Sequence, residues 1–303
     1  MSEDNHDDDK GALFSKKQYF PLNLKVPLVL LILTVCSITI SGVLSYGSEH
    51  VSLTSVLEGI PYALVGIIIL GAHALGHYIQ ARLNRVTVSP PYFIPTPGFI
   101  GTVGAYTKMH WPISDRKALV KIFSTGPICG FFVAWIVMTI GLFFSEVKDL
   151  SSTHKSVEIG NSIIMRMTSI IIFGSLPDTK EILLHPLAYA GWLGIFYNFC
   201  HLLPIGKFDG GRLIYALCGY RVTVLVSFIS IVGLLILGYF SSDWTIWIGL
   251  AIVGAISTIG FRGQYPSENY DQPLKKSMFM LIGIIVTIFI ISFTPIPLPI
   301  LTK

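Results

Sequence analysis

The chain has 303 residues, of which 52% are hydrophobic and only 13% charged, with a mean hydropathy of +0.68. That charged share is about half that of an ordinary soluble domain and leaves too thin a polar shell to keep a fold of this size dispersed in water, which excludes a soluble protein and points to a polytopic membrane protein. The net charge of +4 is spread over loops without a Lys/Arg cluster, so nucleic acid is excluded as a partner and the lipid bilayer is the medium.

In chain order, residues 1–24 open with the acidic stretch SEDNHDDDK, which cannot bury enough apolar surface to fold and reads as a disordered cytoplasmic tail. Residues 25–303 read as a single membrane domain. Apolar runs near 26–46, 56–80, 118–144, 183–205, 222–240, 244–261 and 278–295 approach the roughly 20 residues a crossing helix needs, so the expected fold is an all-α polytopic membrane protein with about seven transmembrane helices. The piece from Ile163 to Leu176 is short and carries Arg166, as an interfacial or re-entrant helix does. With the N-terminus cytoplasmic and the C-terminus outside, sixteen of the 21 Lys and Arg residues fall in inside segments, the asymmetry expected of a multi-pass integral membrane protein. Cys36, Cys129, Cys200 and Cys218 form no C-x-x-C pair, so neither a disulfide framework nor a thiolate zinc knuckle is indicated, and they read as small core residues.

The second apolar run ends in Gly71-Ala72-His73-Ala74-Leu75-Gly76-His77-Tyr78. Residues four apart share one helix face, with Cβ atoms about 5–6 Å apart, so both imidazoles can reach one zinc ion. The alternative is that each histidine hydrogen-bonds a neighbouring helix, but two imidazoles in an otherwise apolar span each need a polar partner. A third ligand is available at Asp209, in the segment from Asn198 to Arg212 where Pro204 and three glycines interrupt the helix. Irregular backbone at membrane depth is tolerated only against protein or a water-filled cavity. The other reading of Asp209 is a cap for a helix starting near Gly210.

These residues together carry a resemblance. His73-x-x-x-His77, then Gly126-Pro127 in the next span, then Leu203-Pro204 and Phe208-Asp209-Gly210-Gly211, resemble the site-2 protease family of intramembrane zinc metalloproteases, over a catalytic core of about residues 56–220. The family's motifs are H-E-x-x-H and N-x-x-P-x-x-x-x-D-G. The resemblance therefore implies Zn2+ held by His73, His77 and Asp209, and regulated intramembrane proteolysis of a single-span membrane protein substrate. The segment Phe99-Ile100-Gly101-Thr102-Val103-Gly104-Ala105 resembles the membrane-dipping β-hairpin of the branch that lacks an inserted PDZ domain.

Two positions depart from the family pattern. Ala74 stands where H-E-x-x-H has its glutamate and can neither take a proton from water nor pass one to a leaving amine, so the general base is missing. Because both imidazoles persist while only the base is gone, a deliberate Glu-to-Ala exchange is expected rather than natural decay. The second departure is His201 at the motif's asparagine position. It is expected to hydrogen-bond substrate, with a fourth zinc ligand as the other reading, and Asn198 one turn earlier is a candidate for the asparagine role.

A substrate helix hides its carbonyls in its own hydrogen bonds and must be unwound to be cut. Pro90, Pro91, Pro95 and Pro97 keep the chain after the second span non-helical, and Gly101, Thr102, Val103 and Gly104 are expected to offer a strand edge to the unwound substrate. The competing functions are a natural pseudoprotease that binds membrane proteins without cutting and a zinc transporter. The latter needs acids or imidazoles along a path, and the first, fifth, sixth and seventh runs carry none. His6, His50, His110, His154 and His185 lie in solvated or span-flanking positions and are assigned no chemistry.

Overall fold

The computed structural model describes residues 24–45, 53–96, 101–109, 113, 115–149, 162–177, 179–240, 244–260 and 274–294. The expected acidic tail, Pro97, Phe99 and Ile100, and His6, His50, His110 and His154 lie outside these residues.

Eight helices and four short strands follow in chain order among the described residues: α1 Lys25–Ser45, α2 Leu53–Leu83, β1 Tyr92–Pro95, β2 Thr102–Tyr106, α3 Arg116–Phe143, β3 Glu146–Asp149, α4 Ile163–Phe173, β4 Lys180–Leu183, α5 Pro186–Leu202, α6 Asp209–Phe240, α7 Trp244–Ile259 and α8 Lys276–Ser292. Local chemistry sets several starts. Asp115 caps α3 by accepting from the Lys117 amide, and Ser162 caps α4 through the Met165 amide. Pro186 opens α5, where no intrahelical donor is needed.

Four helices, α1, α2, α3 and α6, are long and apolar enough to cross a membrane. At 1.5 Å per residue, the 17, 16 and 17 residues of α5, α7 and α8 extend only about 24–26 Å, short of a hydrocarbon core of about 30 Å. The seven runs of the sequence all carry helices, but among the described residues only four reach full crossing length. α5 is cut short because Leu203-Pro204 ends it, and α4, with 11 residues, is shorter still.

α3 forms the centre and packs most extensively on α5 and α2. Small residues set this closeness, the usual device where lipid gives no hydrophobic drive between helices. A Cβ at Gly191 would run into the Met138 backbone, one at Gly141 into Ala188, and one at Gly76 into Thr125 and Gly126. Large apolar side chains such as Leu28, Ile32, Ile68, Leu225, Phe228 and Ile252 are exposed on the outside, as a lipid-facing shell requires. All four cysteines are free, Cys36 and Cys218 exposed rather than in the expected core.

β1 and β2 pair antiparallel, Tyr92 opposite Tyr106 through Ile94 opposite Gly104, with a bulge before Pro95 meets Thr102. The bulge is braced by Thr102, whose hydroxyl donates to the Ile94 carbonyl and accepts from the Gly104 amide. The pair rests on α1, where the Ser37 hydroxyl donates to the Thr96 carbonyl. β3 and β4 form a second, regular and exposed pair.

Candidate metal centre

Turn residues 203–208 reverse the chain between α5 and α6. Two hydroxyls hold this turn, Ser227 accepting from the Gly206 amide and Ser257 from the Lys207 amide, while Ile205 is fully buried beneath it. α6 then starts at Asp209, packed so closely that a Cβ at Gly210 or Gly211 would strike the turn's own backbone. Ten residues later the helix breaks at Gly219 (φ 80°, ψ 178°). The Arg116 guanidinium closes the carbonyls left open there, donating to Ala216 and Leu217. The short first half of α6 is thus fixed at both ends, and it carries Asp209 and Arg212.

His73 and His77 on α2 meet Asp209 in the interior. Among the described residues this is the one group of three or more His, Cys, Asp or Glu side chains whose ligand atoms converge, all three buried. The His73 and His77 Nε2 atoms are 3.1 Å apart, and the Asp209 Oδ2 lies 3.1 Å from the first and 3.3 Å from the second.

The far side of each imidazole decides what these three atoms are. His77 Nδ1 is 2.8 Å from the Ile122 carbonyl, which only accepts, so Nδ1 carries the proton. Asn198 spends its amide nitrogen on the Gly194 carbonyl and turns its oxygen to His73 Nδ1 at 2.8 Å, so that nitrogen is protonated too. In their neutral forms both imidazoles then aim Nε2 lone pairs at each other and at a carboxylate oxygen. Three lone pairs at this separation repel unless a cation lies between them. Ligands about 2.0–2.1 Å from a tetrahedral zinc are themselves about 3.3–3.4 Å apart, close to the spacing here, so the donor set fits that ion.

α3 is shaped around these groups. A Cβ at Gly126 would collide with the His77 ring, and one at Gly130 would meet both the Asn198 amide and the His73 side chain. The sequence singled out Gly126-Pro127 only as part of a motif; the packing shows that Gly126 is the seat of an imidazole.

A cavity of about 490 Å³ opens from the cluster, bordered by His73, His77, Asp209, α5, the first half of α6, one face of α7, and β2 with Thr107 just after it. Of the sequence-designated residues, Thr102, Val103, Gly104 and His201 border this space. His201 is partly exposed, its Nδ1 3.4 Å from Asp209 Oδ2. Two others lie elsewhere. Asn198 is wholly buried behind His73, so its substrate-side role gives way to bracing a ligand. Gly101, at φ 74°, sits against the α1 backbone at Ser37 and Ile38. Ala74 is fully buried.

Sequence reasoning missed two groups that matter here. Arg212 borders the cavity with its guanidinium 4.5 Å above the Phe123 ring; its place three residues after Asp209, on the same helical face, was the available signal. Tyr197 lies against both His73 and His201, with ring centroids 5.7 and 4.4 Å away, and looked in the sequence like any aromatic of an apolar run.

The model of peptidase family M50 matches residues 61–240, more than half of the chain. Curated relatives are Probable zinc metalloprotease EGY2, chloroplastic, of Oryza sativa subsp. indica, 26% identical over 80% of this chain and 44% of its own length, and the protein of that name in Arabidopsis thaliana, 28% identical over 70% of this chain and 39% of its own. Probable zinc metalloprotease EGY1, chloroplastic, of Arabidopsis thaliana is 31% identical over 58% of this chain and 33% of its own length. The chain thus spans less than half the length of these relatives. No solved structure matches it.

Proposed function

The chain belongs to peptidase family M50, the site-2 proteases, and from that premise we propose that it is built as an intramembrane zinc metalloprotease acting on peptide bonds in or near single-span membrane segments, in a form made inactive by a Glu-to-Ala exchange at position 74. The observation that carries this reading is the convergence of three lone pairs from His73, His77 and Asp209, each histidine locked in the ligating tautomer by a hydrogen bond behind it. Zinc held there would supply Lewis-acid polarisation of a peptide carbonyl.

The chain's own residues do the rest. β2 presents an edge along the cavity on which an unwound segment can add as a strand, replacing hydrogen bonds lost with its helix. The apolar walls from α5 and α7 keep bulk water away from that segment. His201, beside Asp209 and open to the cavity, is placed to donate to a substrate carbonyl. Seven crossings with the N-terminus inside and the C-terminus outside complete the reading.

Ala74 has no proton to accept or give, and position 74 is where the family's motif carries its base. The pseudoprotease reading rests on the same residue, and one experiment separates the two. Ala74→Glu is expected to cleave a reconstituted single-span substrate at least one hundredfold faster than the parent, the lower end of what a positioned acid-base group contributes, about 10²–10⁴, and to lose that cleavage on zinc chelation. An Ala74→Glu protein that holds zinc yet leaves the substrate intact would turn the assignment toward binding alone.

A further inference from the structure

The edge of β2 is already engaged. In an antiparallel pair, alternate residues turn their main-chain groups toward the partner strand and the others away. Gly104 and Tyr106 face β1 across Ile94 and Tyr92, and the Lys108 carbonyl continues the pattern by accepting from Ser89. The Ala105 amide therefore points away from β1, toward the cavity. There it donates to the Tyr197 hydroxyl at 3.4 Å.

Gly104 makes this contact possible. A Cβ at that position would collide with the Tyr197 hydroxyl, and φ there is 122°, a region other residues rarely occupy. The hydroxyl thus sits where the main-chain carbonyl of an added strand would have to go. At 3.4 Å the bond is long, and a carbonyl at ordinary distance displaces it.

We infer that Tyr197 is a latch on the substrate-binding edge: its hydroxyl occupies the outward Ala105 amide in the resting protein and yields that amide to the carbonyl of an unwound peptide. The inference rests on the reading of β2 as the strand that receives substrate. Its consequence is selection. A helical segment keeps its carbonyls in internal hydrogen bonds and offers none to replace the phenol, so it is refused, whereas a segment with a broken helix displaces the latch. Tyr197 precedes Asn198, which braces His73, and its ring lies against His73 and His201, so the latch is anchored on the helix that positions the metal centre. Tyr197 is a positioning residue; no step of hydrolysis passes through its oxygen.

The test uses the full chain with Ala74 in place and a synthetic single-span peptide of about 25 apolar residues carrying a central Gly-Pro pair, with dissociation constants measured in detergent. Tyr197→Phe removes the competitor without touching the edge, so the peptide should bind about two- to fivefold more tightly, the low end of one net hydrogen bond. An uninterrupted helical peptide, which has no carbonyl to offer the freed amide, should bind as it does to the parent. Ala105→Pro removes the edge donor itself, and peptide binding should weaken. Bound zinc and hydrogen exchange at Ala105, faster in Tyr197→Phe, report that the fold is retained and the latch released. Unchanged or weaker binding in Tyr197→Phe, with Ala105→Pro still weakened, overturns the latch while leaving the edge in place. If Ala105→Pro binds as the parent does, the edge is not the receiving strand, and the latch falls with it.

Discussion

Two walls of one cavity are built in opposite ways. On the metal wall each ligating imidazole has a partner behind it: Ile122 holds His77, Asn198 holds His73, and Gly126 and Gly130 of α3 leave room only for those rings. On the strand wall β2 is bulged, Val103 is exposed, two glycines adopt positive φ, and the outward amide of Ala105 has only the long contact to Tyr197. Three lone pairs must be fixed before an ion arrives, or binding would have to meet the cost of ordering them. A strand edge that receives another chain must keep its donors exchangeable. The exposed β3–β4 pair makes the contrast plainer, for it is regular in register and carries an exposed Lys148–Glu146 ion pair at 3.3 Å, as a sheet does when nothing adds to it.

The comparison breaks most completely at the ligands. Parent protein with Ala74 is expected to hold about one zinc per chain, since alanine removes no donor, and His73→Ala, His77→Ala or Asp209→Ala should each leave less than about a tenth of that. Elemental analysis decides it, and metal retained by Asp209→Ala would show that the convergence at that carboxylate is not a coordination site.

One step back from the ligands, Asn198→Ala takes the brace from His73 and should weaken zinc about 10- to 100-fold, the usual cost of losing such a partner. A competition titration with a chelator measures this. Affinity equal to the parent's would mean that α3 packing alone orients the ring.

The smallest effect belongs to the strand wall. Gly101→Ala sets a Cβ 2.7 Å from the Ile38 backbone at a φ of 74° and should shift the β1–β2 pair from α1 at a cost of about 1–3 kcal/mol, lowering affinity for the helix-broken peptide about tenfold. Zinc should stay at the parent's level. Loss of zinc in this variant would show that the walls are one cooperative unit.

Much of the metal wall is legible in the sequence because helical periodicity is a local rule. An i to i+4 pair of histidines shares a face wherever that helix lies, and Pro204 with three glycines around Asp209 announces a break that only a polar interior tolerates. The composition likewise reveals a membrane protein with no structure at hand. Crossing number is less legible, since the apolar run 183–205 continues through Leu203-Pro204, where the helix ends.

Partnership across the fold is what only the tertiary structure decided. Asn198 looked like a substrate residue because it neighbours a motif position, yet on α5 it faces α2 and braces a ligand. Thr102, Val103 and Gly104 border the cavity as the receiving edge would, but the bulge turns the Thr102 hydroxyl inward, and the donor at Ala105 comes to light only in the fold. Gly130 and Tyr197 carried no signal in the sequence. Which face a side chain presents follows from the repeat of its own helix or strand, but what stands opposite that face is set by how α2, α3, α5, α6 and β2 pack, a relation among residues up to 136 positions apart that no local pattern encodes.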